Sequence, residues 1–106
     1  MVGSSVVRTF SKDTNHKVFS STRKNTDLFS LTATRKLIGE VSPDLVVNAA
    51  ARVGGILANN TQRTEFILEN LKINMNIFES CIHNPEIKII NLGSSCIYPL
   101  NSKNPI

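Results

Sequence analysis

The sequence predicts an α/β fold, a parallel sheet layered with helices, and three observations lead there. Short runs rich in Val and Ile recur along the chain, stretches of helical period separate them, and Pro43 and Pro85 stand where helices must stop. Strands that alternate with helices are joined by crossovers, and such crossovers set neighbouring strands parallel. A parallel sheet is covered by helices on both faces, which agrees with runs that are apolar without strict alternation.

The elements follow in order. A helix is expected from Gly3 to about Phe10, then a strand in "KVFSS" (17 to 21), a helix from Thr32 to Val41 closed by "SPD", and a strand in "DLVVNAA" (44 to 50). A long helix from about Thr61 to His83 and a strand in "EIKIINLG" (86 to 93) complete the pattern. On the long helix, Ile67, Leu71, Met75 or Asn74, Phe78 and Ile82 recur every three or four residues and are expected to face the sheet. Phe66, Ile73 and Ile77 form a second stripe, read either as apolar leakage or as a contact with another subunit.

Composition narrows the function classes. The 106 residues suit one domain, and the 41% hydrophobic content is that of a globular chain. "LVVNAAA" and "VGGILA" fall well short of the roughly 18 to 20 apolar residues of a membrane span. The start "MVGSSVVRTFSKD" lacks the features of a secretory signal, so a cytoplasmic location is expected. Cys81 and Cys96 have no metal-like or disulfide-framework spacing, so reduced thiols and no metal are expected. Twelve Lys and Arg against eight Asp and Glu give a formal charge of +4. The basic residues are scattered and do not interleave with the one Tyr and five Phe as on a base-stacking platform, which argues against a nucleic-acid partner.

Ligands of open parallel sheets bind at the carboxyl ends of strands, so the residues after each apolar run carry the functional argument. These are "STRKNTDL", "NAAARVGG" and "GSSCIYP". The small residues Ala49, Ala50, Ala51, Gly54 and Gly55 suit either the close approach of a flat ligand or a tight turn. After the first run stand Arg23 and Lys24, with no acid before Asp27; a cation there suits the 2′-phosphate of NADP, where an acid would take the 2′-hydroxyl of NAD. Gly3 lies about twenty residues before Arg23, where the last glycine of a phosphate-binding loop opens the first helix.

Together "MVGSS", "NAAARVGGILANNT" and "NLGSSCIYP" resemble the GDP-L-fucose synthase family, a group of extended short-chain dehydrogenase/reductases. The resemblance implies a Rossmann-type sheet, NADPH as cofactor, a GDP-sugar substrate, no membrane partner and a homodimer. It also implies epimerisation of GDP-4-keto-6-deoxymannose at C3 and C5 followed by reduction at C4. By position, Ser94 matches the catalytic serine that bonds the keto oxygen, and Cys96 the cysteine that exchanges protons beside the ketone. Gly3, Arg23, Asp27, Leu28, Ala49, Ala50, Ala51, Leu92 and Gly93 fall at cofactor positions, and Val53, Gly54, Gly55 and Ser95 lead toward the substrate. Asn70 matches a helix asparagine that supports the active-site backbone.

The departures from that family shape the remaining expectations. One glycine stands where the phosphate loop has three, no Tyr-x-x-x-Lys occurs, and His16 and His83 do not match the histidine that partners the cysteine. The expected architecture is therefore an incomplete Rossmann-type parallel sheet with helices on both faces, first strand, C-terminal part and substrate domain missing, inactive alone. Loss of a middle strand would leave the chain marginal or aggregation-prone, or drive "KVFSS" to pair with "EIKIINL". Another NAD(P)-dependent nucleotide-sugar epimerase or dehydratase is the alternative enzyme, against which Cys96 argues. A non-catalytic nucleotide-binding or interaction module, using the helix from Thr61 to His83, is the alternative outside catalysis.

Overall fold

The computed structural model describes residues 1–94, 97–99 and 101–103. Six elements follow one another: α1 (Val2–Phe10), α2 (Leu31–Val41), β1 (Leu45–Asn48), α3 (Ile56–Thr61), α4 (Arg63–Cys81) and β2 (Lys88–Asn91).

Local chemistry sets the bounds of α2. Ser30 is extended and its hydroxyl accepts a hydrogen bond from the Ala33 N–H at 3.2 Å, satisfying one of the free donors of the first turn. At the other end Ser42 is left-handed, at φ 46°, and its N–H donates to the Ile38 C=O at 2.8 Å as a helix-ending cap, beyond which Pro43 cannot continue the helix. Gln62, at φ −126° and ψ 42°, breaks the helical path between α3 and α4.

β1 and β2 pair in parallel, Leu45 with Lys88 through Asn48 with Asn91. Further backbone bonds, Lys88 N–H to Asp44 C=O at 3.0 Å and Leu92 N–H to Asn48 C=O at 3.1 Å, extend the ladder at both ends. The pleat puts Val46, Asn48, Ile89 and Asn91 on one face, the one that meets α4 through an Asn48 to Asn74 side-chain bond. Ala49 belongs to the opposite side, where Gly3 of α1 approaches it, so helices reach both faces of the sheet.

The core is the crossing of α2 over α4. The buried side chains of these two helices include Thr34, Ile73 and Ile77, with Cys81 buried nearer Ile87 and Ile89, and the Thr34 hydroxyl is satisfied by donating to the Ser30 C=O at 2.8 Å. Burial raises the Cys81 thiol above its ordinary pKa, since a thiolate would lose its hydration. Arg35 of α2 and Glu79 of α4 form an exposed ion pair at 2.9 Å across the same crossing.

Four expectations are corrected and one is met. "KVFSS" is irregular and not a strand: among the described residues the sheet consists of β1 and β2, and residues 17 to 21 join neither of its outer edges; Lys17 instead lies over the Phe19 ring at 5.1 Å. For the same reason "KVFSS" does not pair with "EIKIINL". The long helix expected from about Thr61 to His83 is present as α4, and the short α3 ahead of it is an element the sequence did not lead one to expect. The stripes of α4 exchange roles: Ile73 and Ile77 are buried against α2, whereas Ile67, Leu71, Met75, Phe78 and Ile82 are exposed. Both stripes have helical period, and the presence of α2 beside one of them decides which is covered. The sheet is likewise not covered throughout, Ile90 and Leu92 being exposed. Among the described residues, no helix is long and apolar enough to cross a membrane.

Candidate functional site

Parallel pairing brings the carboxyl ends of β1 and β2 side by side, and from them leave Ala49–Ala51 and Leu92–Ser94. A Cβ added to Gly3 would lie 3.5 Å from the Ala49 Cβ, so the first turn of α1 joins the same end of the sheet. That turn carries no acidic residue, leaving its N–H groups open to an anion without a carboxylate to repel it. A Cβ at Gly55 or Gly93 would meet nothing within 4 Å, so the packing of the chain itself does not require glycine at either position. The structure thus brings together Gly3, Ala49, Ala50, Ala51, Leu92, Gly93 and Ser94. These surroundings suit a flat dinucleotide that must lie close to backbone: small side chains, a helix start free of acid, and open space above Gly93.

The segment from Ala49 to Gly55 is held along its length. Asn48 Oδ1 accepts from the Ala50 N–H at 3.0 Å. Asn70 grips Arg52 twice, Oδ1 accepting from its N–H at 2.8 Å and Nδ2 donating to its C=O at 3.0 Å; Nδ2 also donates to the Phe66 C=O at 2.8 Å. Gly54 lies against Phe66 so closely that a Cβ would fall 2.8 Å from its ring tip and 3.1 Å from the Ala58 Cβ, which is why glycine is needed there. Asn59 Nδ2 donates to the C=O groups of Gly54 and Gly55 at 2.9 and 3.1 Å. Val53, between Arg52 and Gly54, is exposed. The backbone-supporting position expected of Asn70 is the one it occupies.

The Arg52 guanidinium is committed. It pairs with Glu69, bonds Gln62 and sits 4.7 Å above the Phe66 ring. Its charge stabilises the loop and is largely neutralised, so a phosphate at this site needs another cation.

Arg23, Asp27 and Leu28 are secured at a different anchor. Arg23 is exposed in a turn that the Asn25 N–H closes on the Thr22 C=O at 2.9 Å. Asp27 Oδ1 accepts from the Phe29 N–H at 2.9 Å, and the Leu28 C=O accepts from Asn76 Nδ2 of α4 at 2.8 Å. That bond ties the turn to α4 through one of the two lone pairs of the carbonyl oxygen. Ser95 and Cys96 lie outside the described residues. Ser94 is exposed, and its C=O accepts from the Ile97 N–H at 3.3 Å.

The sequence reading missed one cluster. Asn48 Nδ2 donates to Asn91 Oδ1 at 2.7 Å and to Asn74 Oδ1 at 2.9 Å, joining both strand tips to α4. The available signal was that "LVVN" and "KIIN" both end in asparagine.

Comparison with known proteins gives a consistent answer. The model of the NAD dependent epimerase/dehydratase family matches residues 1–106. GDP-L-fucose synthases of Sinorhizobium fredii and Escherichia coli are each 38% identical over 100% of this chain and 33% of their own length. A solved structure titled as a GDP-mannoheptose C4 reductase from Campylobacter jejuni with NADP bound is 34% identical, with a TM-score of 0.86 over 98% of this chain and 31% of that one. The chain spans about a third of the length of the curated relatives it matches. The resemblance carried by "NAAARVGGILANNT" and "NLGSSCIYP" is the one these comparisons return.

Proposed function

This chain belongs to the NAD dependent epimerase/dehydratase family, and from that premise we propose that it forms part of the NADP-binding domain of a GDP-L-fucose synthase. That enzyme would epimerise GDP-4-keto-6-deoxymannose at C3 and C5 and reduce it at C4. The observation that carries the reading is the clamped loop from Ala49 to Gly55 lying beside Leu92–Ser94 at the sheet end where dinucleotides bind. The identity of 38% to GDP-L-fucose synthases over the whole chain supports the substrate class.

In this reading NADPH, when bound, supplies hydride for C4. Gly3 and the first turn of α1 face its pyrophosphate, while Ala49, Ala50, Ala51, Leu92 and Gly93 form the surface against which it lies. Arg23 takes the 2′-phosphate, a role for which Arg52 is already spent, and Asp27 and Leu28 stand on the adenine side. Val53, Gly54, Gly55 and Ser95 lead to the GDP-sugar. The Ser94 hydroxyl donates to the C4 keto oxygen and stabilises the negative charge that grows there. The Cys96 thiol exchanges protons at C3 and C5, carbons made acidic by the neighbouring ketone. No Tyr-x-x-x-Lys occurs in these 106 residues, so turnover by this chain alone is not expected.

The test is a chimera in which this chain replaces the matching third of the Sinorhizobium fredii relative. NADPH should bind and the GDP-sugar should turn over, and Ser94→Ala should lower kcat by about 10²- to 10³-fold. Full-rate turnover by the alanine variant would overturn the role given to Ser94. A second reading, reduction at C4 without epimerisation, is favoured by the likeness to a C4 reductase. Reaction in deuterated water separates the two, since only epimerisation places deuterium at C3 and C5.

A further inference from the structure

We infer that Asn48 is a positioning residue that makes the two strand-end loops one mechanical unit. Its side chain is 5% exposed, and its amide group makes a bond with each of three separate parts of the fold. Oδ1 accepts from the Ala50 N–H, which fixes where the segment from Ala49 to Gly55 leaves β1. Nδ2 donates both its hydrogens, one to Asn91 at the end of β2 and one to Asn74 on α4. Asn91 stands directly before Leu92–Ser94, and the Leu92 N–H returns a backbone bond to the Asn48 C=O at 3.1 Å.

Chemistry explains why an asparagine does this. One planar amide supplies two donors and an acceptor in fixed relation, so moving Asn91 or Asn74 turns the group that holds Ala50. A buried amide with all its bonds made strongly prefers one geometry, because losing a partner in a place water reaches poorly leaves a polar atom unsatisfied. Asn70 holds the same loop two residues further on without touching β2. Asn48 is therefore the side chain through which the Ala50 backbone is referred to the position of the β2 tip. An apolar residue of similar size would fill the volume and break that reference.

The test is amide hydrogen exchange by NMR on the 106-residue chain. Asn48→Leu should reduce protection of the Ala50 amide about tenfold or more while the core amides of Ile73 and Ile77 stay protected. Asn48→Asp should restore most of it: its carboxylate still accepts from Ala50, and Asn74 and Asn91 can rotate their amides to donate to it. Asn91→Leu, which leaves Asn48 in place, should also lower Ala50 protection, by a few-fold. If Asn48→Leu does not fold, the comparison of Asn91→Leu with wild type decides. Unchanged Ala50 protection in Asn91→Leu, or no difference between the Leu and Asp variants at position 48, would overturn the inference. Its functional consequence, weaker NADPH binding by Asn48→Leu, rests on the function proposed above. A chimera that binds no NADPH would break that function and leave the exchange result standing.

Discussion

Residues 31 to 91 hold every buried side chain among the described residues, Thr34, Asn48, Ile73, Asn76, Ile77 and Cys81, whereas residues 1 to 29 bury none. Both regions contain an amphipathic helix of ordinary design. Val6, Val7 and Phe10 of α1 lie on one side and are half-buried, whereas Ile73 and Ile77 of α4, the helix on which α2 packs, are fully buried. A hydrophobic stripe states a demand for a neighbour; the stability comes from the neighbour itself. The contrast extends to function. The loop after β1 is fastened by Asn48, Asn70, Asn59 and Phe66, while Arg23 sits exposed in a surface turn.

The sharpest way to break this comparison is a pair of truncations. Ile77→Ala removes a fully packed side chain and should cost about 2 to 5 kcal/mol in urea unfolding, enough to unfold a chain with so small a core. Val7→Ala in α1 should cost less than about 1 kcal/mol, since it is half-buried and alanine favours helix. Equal losses would show that α1 is as well seated as α4.

Gly54→Ala comes next, because its Cβ must displace the Phe66 ring from beneath the Arg52 guanidinium. A loss of about 1 to 3 kcal/mol is expected, with faster exchange at the Arg52 amide as the local sign of it. No change in that exchange would mean that the ring moves freely and that the loop is held by its hydrogen bonds alone.

Cys81 supplies a smaller effect with a definite sign. Burial raises its pKa in the folded chain, so below the ordinary thiol value both states are protonated and stability is indifferent to it. As pH rises past that ordinary value the unfolded chain ionises first, and stability falls until the raised native value is passed. Urea midpoints of wild type should therefore decline on the alkaline side more steeply than those of Cys81→Ala, and parallel curves would contradict the burial. The smallest effect belongs to Arg35→Ala. Its ion pair with Glu79 bridges α2 and α4 but is half-exposed on both sides, and the loss should be about 0.5 kcal/mol or less by double-mutant cycle.

The strands and helices of the well-packed region were readable because their signals are local. Pro43 stops α2, Val46 and Val47 suit a strand, and the three- and four-residue spacing along α4 marks a helix whatever lies beside it. Local signals misled at "KVFSS", where β-favouring residues have no partner strand. A strand is a relation between two segments, and the sequence of one segment describes only its half of it. The candidate site divides in the same way. The small residues at the strand ends, Gly3 and the family motifs could be picked out by eye. The Asn48, Asn74 and Asn91 cluster could not, because its members are 26 and 43 residues apart from Asn48.

The order of residues by itself determined which segments could be helices, where they must end, and which small side chains stand at the tips of "LVVN" and "KIIN". Three outcomes waited for the tertiary structure: which face of α4 is buried, that Arg52 is neutralised by Glu69 and Gln62, and that one asparagine joins two loops. The physical reason is common to all three. Propensity and period act within a few residues, whereas burial, ion pairing and side-chain hydrogen bonding depend on what the fold brings within about 3 Å from far along the chain.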